Sequence, residues 1–169
     1  GIQYLHENDV IHMDIKSNNC LLFQHKIVKL CDFGLAATLD ERFDRTCSHT
    51  NIGGTWQFLA PELLKRDENI WYYTKYADIF SYGMLILEIC SRDTPFRGIT
   101  LLERMKKLIL SDEVILPTIP SACPKDLSDL MLRCWRVNPK DRPTITSVIE
   151  GNVQKHQTHK HFFKDYVQL

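Results

Sequence analysis

The sequence has six cysteines but no C-x-x-C pair, which excludes the usual zinc and redox spacings. It lacks a surplus of either charge: 21 basic side chains stand against 21 acidic ones. A general nucleic-acid or polyanion binder carries a basic excess, so no nucleic-acid partner is expected. Long apolar runs are missing too. The longest, residues 79–87, is interrupted by Ser81, Tyr82 and Gly83 and closed by Asp78 and Glu88. A transmembrane helix needs roughly 20 residues, so no membrane segment is expected. No basic stretch followed by an apolar one reads as a secretory signal. The thiols are therefore expected in a reducing, cytoplasmic setting. Cys20, Cys31 and Cys90 lie in apolar runs, where Cys acts as a small hydrophobe. G-x-G-x-x-G occurs nowhere, so the sequence carries no such loop to cradle phosphate. There is no internal repeat and no low-complexity block.

What is present reads as a folded, mainly helical chain. It has 169 residues, 44% of them hydrophobic. One domain of that length would remove roughly 70% of its unfolded surface from water. The chain opens on Gly1, and Ile2, Tyr4 and Leu5 look like the last turns of a helix ending near Asn8 and Asp9. The expectation is thus a piece rather than a whole domain. Residues 10–19 have no period and read as a loop. Residues 20–23 and 27–31 are short apolar runs that suggest a hairpin. Residues 32–55 make a long loop, and long loops in compact domains are usually functional. Pro61 can open a short helix. Residues 78–91 are apolar almost all round and predict a buried central helix. Leu101, Leu102, Met105, Leu108 and Ile109 repeat at helical spacing, as do Leu127, Leu130, Met131, Cys134 and Trp135. Pro143 is expected to open a last helix with Ile145, Val148 and Ile149 inward. The polar tail beyond it is rich in Lys and His and is expected to fray.

Three segments carry the chemistry. The first runs His12-Met13-Asp14-Ile15-Lys16-Ser17-Asn18-Asn19, the second is Asp32-Phe33-Gly34, and the third is Gly54-Thr55-Trp56-Gln57-Phe58-Leu59-Ala60-Pro61-Glu62. In this order the chain resembles the eukaryotic protein kinase family, matching H-x-D-x-x-x-x-N, D-F-G and A-P-E. Asp78 in a D-x-x-S-Y-G run and Arg142-Pro143 fit the lower lobe of the same family. The resemblance covers residues 1–154 and leaves 155–169 as a polar tail. It implies a mainly α fold with a small β-hairpin: the C-terminal (large) lobe of the bilobal α+β kinase fold, with the N-terminal lobe absent. Its parts would be a catalytic loop at 10–19, an activation segment at 32–62 and a helical body at 63–154.

Phosphoryl transfer asks the protein for positioning and charge neutralisation more than for covalent chemistry. Asp14 can orient a substrate hydroxyl and accept its proton. Lys16 can set a cation against the transferring phosphoryl group. Asn19 and Asp32 offer oxygen ligands from two segments, which suits Mg²⁺. The resemblance implies the same roles at these positions, with ATP as phosphoryl donor and Mg²⁺ as cofactor. It adds Thr55, bonded to Asp14 and Lys16, and Leu21, with Leu85 and Ile89 beneath it, as the support for the adenine. His12 and Phe33 are implied to stack in a core column anchored by a buried Asp78, whose carboxylate would take hydrogen bonds from the catalytic-loop backbone. Glu62 and Arg142 are implied to form a buried ion pair.

The substrate class follows from details. Lys16, two residues after Asp14, and Thr55 resemble serine/threonine kinases, and residues 54–62 with Cys134-Trp135 look like the tyrosine-kinase-like group. The expected partner is a protein with a Ser or Thr acceptor, together with the missing upper lobe. Met13 stands where most kinases carry an Arg that gathers an activation-loop phosphate, so phosphate at Thr46, Ser48 or Thr50 would lack that cation. A pseudokinase-like interaction module is the alternative. A third reading, metal binding by His156, His159 and His161, is weaker, because no i, i+4 pair falls on one helix face.

Overall fold

In a computed structural model the chain is described over residues 1–24, 27–40, 45–48, 53–64, 71–111 and 113–153. The order is α1 (Ile2–Glu7), β1 (Val10–Ile11), a 3-10 turn (Ser17–Asn19), β2 (Cys20–Phe23), β3 (Ile27–Leu30), β4 (Ala37–Thr38) and β5 (Thr46–Ser48). Then come α2 (Pro61–Leu64), β6 (Trp71–Tyr73), α3 (Lys75–Ser91), α4 (Leu101–Ser111), α5 (Lys125–Cys134), a second 3-10 turn (Pro139–Asp141) and α6 (Ile145–Val153). The histidines 156, 159 and 161, Thr50 and the 155–169 tail lie outside the described residues.

The apolar run after Asp78 lies in α3 and buries most of it, with Ile79, Phe80, Met84 and Leu87 all in the core. It ends at Arg92, whose backbone turns left-handed with φ 54°. Helix α5 lies against it with Leu130, Met131 and Cys134 inward. The approach is close at Gly83, where a β-carbon would stand 2.7 Å from Trp135 Nε1 and 2.8 Å from Cys134 Cβ. Helix α4 opens with a reciprocal cap. Thr100 N–H donates to Glu103 Oε2 at 2.7 Å, and Glu103 N–H donates to Thr100 Oγ1 at 3.2 Å. Thr144, one residue after Pro143, caps α6 by accepting from Ser147 N–H.

The hairpin is present: β2 and β3 pair antiparallel, with Cys20 opposite Leu30 and Phe23 opposite Ile27. Two further pairs were not readable from the sequence. Strand β1 pairs with β4 (Val10 with Thr38), and β5 with β6 (Thr46 with Tyr73). Strands of two or three residues carry too little alternation to show a period.

Several inward assignments need correction. Ile89 on α3 is 49% exposed rather than core, and Leu21 and Phe33, implied as packing residues with apolar surface around them left open by a missing lobe, are about half exposed. Helix α4 turns only part of its apolar stripe inward: Leu108 is buried and Leu101 and Met105 pack against the core, but two stripe residues face out. Leu102 is 60% exposed and Ile109 59%, while Arg104 is 2% exposed. Ile149 also faces outward, although Ile145 and Val148 are buried as expected. No helix among the described residues is long and apolar enough to cross a membrane.

Gly83→Ala forces its new methyl group into the α3–α5 seam. The expected cost is about 1–3 kcal/mol of unfolding free energy, read as a lower urea midpoint. An unchanged midpoint would mean that the helices do not meet this closely.

Candidate active site

The site is built on one buried carboxylate. Asp78, in the first turn of α3, is 1% exposed. Its Oδ2 accepts from His12 N–H at 2.9 Å and its Oδ1 from Met13 N–H at 2.9 Å. His6 Nε2 lies 3.0 Å from Oδ2, and since a carboxylate only accepts, that nitrogen carries the hydrogen. Three donors offset the cost of burying the charge. They also hold Met13 in a left-handed backbone, φ 67°, which ordinary side chains rarely adopt.

His12 is fully buried and serves as a strut. Its Nδ1 accepts from Asp14 N–H at 3.3 Å, and its Nε2 lies 3.1 Å from the Cys31 carbonyl. One nitrogen accepting and the other donating selects the neutral ring with hydrogen on Nε2. Its ring meets Phe33 at 5.1 Å between centroids with the planes at 54°, a tilted contact rather than the expected stack.

Asp14 then projects into a tight cluster. Its Oδ1 accepts from Thr55 N–H at 2.9 Å and Thr55 Oγ1–H at 2.8 Å. Its Oδ2 accepts from Lys16 Nζ at 2.7 Å and Asn19 Nδ2 at 3.0 Å. Lys16 Nζ also donates to Thr55 Oγ1 at 2.6 Å. Burial alone would raise the Asp14 carboxyl. The hydrogen bonds from Lys16 and Thr55, with the charge on Lys16, outweigh burial and hold it below its ordinary value. The second hydrogen of the Asn19 amide goes to the Asp14 carbonyl at 2.8 Å. Both Asn19 donors are therefore used on Asp14, and its amide oxygen is what it has to offer a cation.

Thr55 reaches Asp14 only because Gly54 lets the chain lie on the loop. Gly54 has φ +94°, and a β-carbon there would stand 2.6 Å from the Met13 carbonyl oxygen. Gly53 N–H is tied to the buried Tyr73 hydroxyl at 2.8 Å. Neither contact is visible in the motif spacing.

Asp32 stands apart from this cluster. It is exposed, has φ 61°, and its Oδ1 takes only a long bond from Gly34 N–H at 3.4 Å. The residue before it is nonetheless joined to the loop, since Cys31 N–H donates to the Asn19 carbonyl at 3.0 Å. Asn19 and Asp32 thus belong to adjoining segments and present oxygens only, a donor set that fits a hard cation with phosphate and water completing its shell. Among the described residues no group of three or more His, Cys, Asp or Glu gathers as a metal site. Leu21 sits on β2, half exposed. The Glu62–Arg142 pair is bidentate, with both N–H···O bonds at 2.6 Å. Sequence reasoning missed Glu88, whose Oε2 accepts from Ser17 N–H at 3.2 Å at the start of the 3-10 turn. Its place within the apolar run of α3 made it look like a terminator.

Residues 1–151 match the family model for protein tyrosine and serine/threonine kinases. The chain is 34% identical over 158 residues to mitogen-activated protein kinase kinase kinase zak-1 of Caenorhabditis elegans, covering 92% of the chain and 20% of that protein. It is 33% identical over 150 residues to serine/threonine/tyrosine-protein kinase HT1 of Arabidopsis thaliana, covering 88% of the chain and 36% of that protein. It is 35% identical over 161 residues to mitogen-activated protein kinase kinase kinase 11 of Homo sapiens, covering 89% of the chain and 18% of that protein. The chain thus spans a minor part of the length of these relatives.

The depressed Asp14 carboxyl carries a sign. Its stabilising contribution is complete above the unfolded value of about 3.9 and is lost as pH falls through the lower folded value. Thr55→Val removes the hydroxyl donor, so the Asp14 carboxyl should titrate at higher pH. A ¹³C NMR titration of the carboxyl carbons checks this. No upward shift would mean that the hydroxyl is not holding the carboxylate.

Proposed function

The chain belongs to the protein tyrosine and serine/threonine kinase family, and from that premise we propose that it is the C-terminal lobe of a kinase. The whole enzyme would transfer the γ-phosphoryl group of ATP to Ser or Thr hydroxyls of protein substrates. The observation that carries this reading is the cluster on Asp14, where Lys16, Asn19 and Thr55 converge on one carboxylate. An isolated loop Asp would not gather four donors.

In this mechanism Asp14 stays ionised, orients the acceptor hydroxyl and receives its hydrogen bond. Lys16 meets the charge on the transferred phosphoryl group with an N–H not used on Asp14 or Thr55. Thr55 holds both in register. The Asn19 amide oxygen and the Asp32 carboxylate would hold Mg²⁺, which when bound neutralises phosphate charge. Leu21 would support the adenine. The choice of Ser/Thr over Tyr is supported by the Lys16–Thr55–Asp14 triangle and by the serine/threonine kinase names of several relatives.

The exposed apolar side chains of the β2–β3 ribbon, Leu21 and Phe23 on one face and Leu22 and Val28 on the other, together with Phe33, support a further reading: an upper lobe covers part of this surface in the whole protein. Residues 1–169 alone would then have one wall of the nucleotide site and negligible activity. A pseudokinase-like interaction module is the second reading, favoured by Met13 alone. On the leading reading, any phosphate on the 32–62 segment acts through another cation, or none is required.

In the full natural protein, Asp14→Asn should lower transfer from radiolabelled ATP by about 10²–10⁴-fold. An Asp14→Asn variant as active as the wild type would overturn the assignment. A wild type that transfers nothing would favour the interaction module. Met13→Arg separates the regulatory point: it should change basal activity or its sensitivity to phosphatase.

A further inference from the structure

We infer that Arg104 is a positioning residue for the proposed base Asp14: from inside α4 it clamps the 56–59 turn that carries Thr55 to Asp14. The inference rests on the kinase reading above. The helical stripe of α4 would put an apolar side chain at this inward position. A guanidinium occupies it instead, 2% exposed. Its hydrogen bonds go to main-chain carbonyls: Nη1–H donates to Trp56 O at 2.8 Å and Nη2–H to Leu59 O at 2.8 Å. The nearby Glu62 carboxylate is already engaged, with both oxygens on Arg142.

Burial pushes the Arg104 guanidinium down to about 10, against the upward pull of Glu62, so it remains a cation at neutral pH. Two aromatic faces help to carry that charge. The guanidinium carbon lies 4.2 Å from the Phe96 ring centroid and 5.9 Å from that of Phe80. Trp56 in turn stacks on Phe96, with centroids 6.2 Å apart and planes at 29°. Arg104, Phe96 and Trp56 therefore form one block beneath the turn.

The turn itself is tied at successive carbonyls. Thr55 O accepts from Phe58 N–H at 2.9 Å, and Phe58 O accepts from Ser81 Oγ–H at 2.9 Å. Arg104 supplies the bonds at either side of Phe58, to residues 56 and 59. A leucine would fill the space without desolvating a charge, but it could not fix two carbonyls at once. Lys could reach one of them but has no planar fork. The next residue back is Thr55, whose N–H and hydroxyl both end on Asp14 Oδ1. The clamp thus sets the height of the turn relative to the proposed base, and small displacements of such a platform are costly to rate.

The test compares Arg104→Met and Arg104→Lys in the full natural protein. Arg104→Met should lower kcat about tenfold or more, because Thr55 no longer fixes the direction of Asp14. The KM for ATP should stay within about twofold. Arg104→Lys should recover part of the loss. Amide hydrogen exchange at residues 55–59 should quicken about tenfold or more in Arg104→Met, while α3 keeps its protection. Unchanged exchange at 55–59 would overturn the clamp. An unchanged kcat alongside quickened exchange would overturn the link from the turn to Asp14. A wild type that transfers nothing would overturn the kinase reading and the positioning role with it. The exchange result would then still show, separately, whether Arg104 holds the turn.

Discussion

The buried carboxylate of Asp78 is the constraint on which the rest of the site depends. An ionised group 1% exposed to solvent costs several kcal/mol unless it is met by donors. Here the donors are the backbone N–H groups of His12 and Met13 and the ring of His6. The carboxylate therefore cannot be satisfied unless the loop after β1 comes back onto α3. Once those two amides are fixed, Met13 is driven into its left-handed turn and Asp14 is aimed at Thr55. The central helix thus positions the loop chemistry, although none of its side chains touches the Asp14 carboxylate. The position in the first turn of α3 also sets the negative charge near the positive end of the helix dipole.

The chain's zero formal charge conceals a hierarchy of ion pairs. Arg97–Asp93 and Lys125–Asp129 are exposed i, i+4 pairs, and such pairs contribute about 0–1 kcal/mol. Arg142–Glu62 differs in kind. The Arg142 side chain is wholly buried and bidentate, and it also donates to the Tyr76 and Arg136 carbonyls. Removing Glu62 would leave a buried cation short of its counter-charge, a loss of about 3–5 kcal/mol. Arg104 and Arg142 flank Phe80 from two elements, so the base of the 53–64 segment is pinned by two cations on one aromatic side chain.

Much of this site was legible in the sequence, because short motifs fix residues that must meet. Asp14, Lys16, Asn19 and Thr55 do converge, and Asp78 does accept from the loop backbone. What was not legible has physical causes. Strands such as β1 and β4 have two residues each and no periodicity to detect. Helix α4 keeps Leu101, Met105 and Leu108 toward the core, but Arg104 shares that face because it finds carbonyls and aromatic rings there, while Leu102 and Ile109 are left outside. Leu21 and Phe33 look like core in the sequence because their residue types are right. Their burial depends on what covers the ribbon, which no local pattern states.

The donor arithmetic at Asp14 constrains how the proposed reaction can run. A carboxylate offers about four lone-pair sites, and Thr55 N–H, Thr55 hydroxyl, Lys16 and Asn19 fill them. An acceptor hydroxyl must therefore displace one donor. The Asn19 amide makes the longest of the four bonds, 3.0 Å, and it retains a second bond to the Asp14 carbonyl when this one is given up. Lys16 needs no such exchange. Its ammonium has three hydrogens, of which Asp14 and Thr55 take two, leaving one for a phosphoryl oxygen without breaking the triangle. A carboxylate so well solvated by donors is a weak base. In the proposed reaction its contribution would therefore lie first in orienting the hydroxyl, with the proton taken late, as charge develops on the attacking oxygen. That order matches a transfer in which the nucleophile does little of the bond making at the transition state.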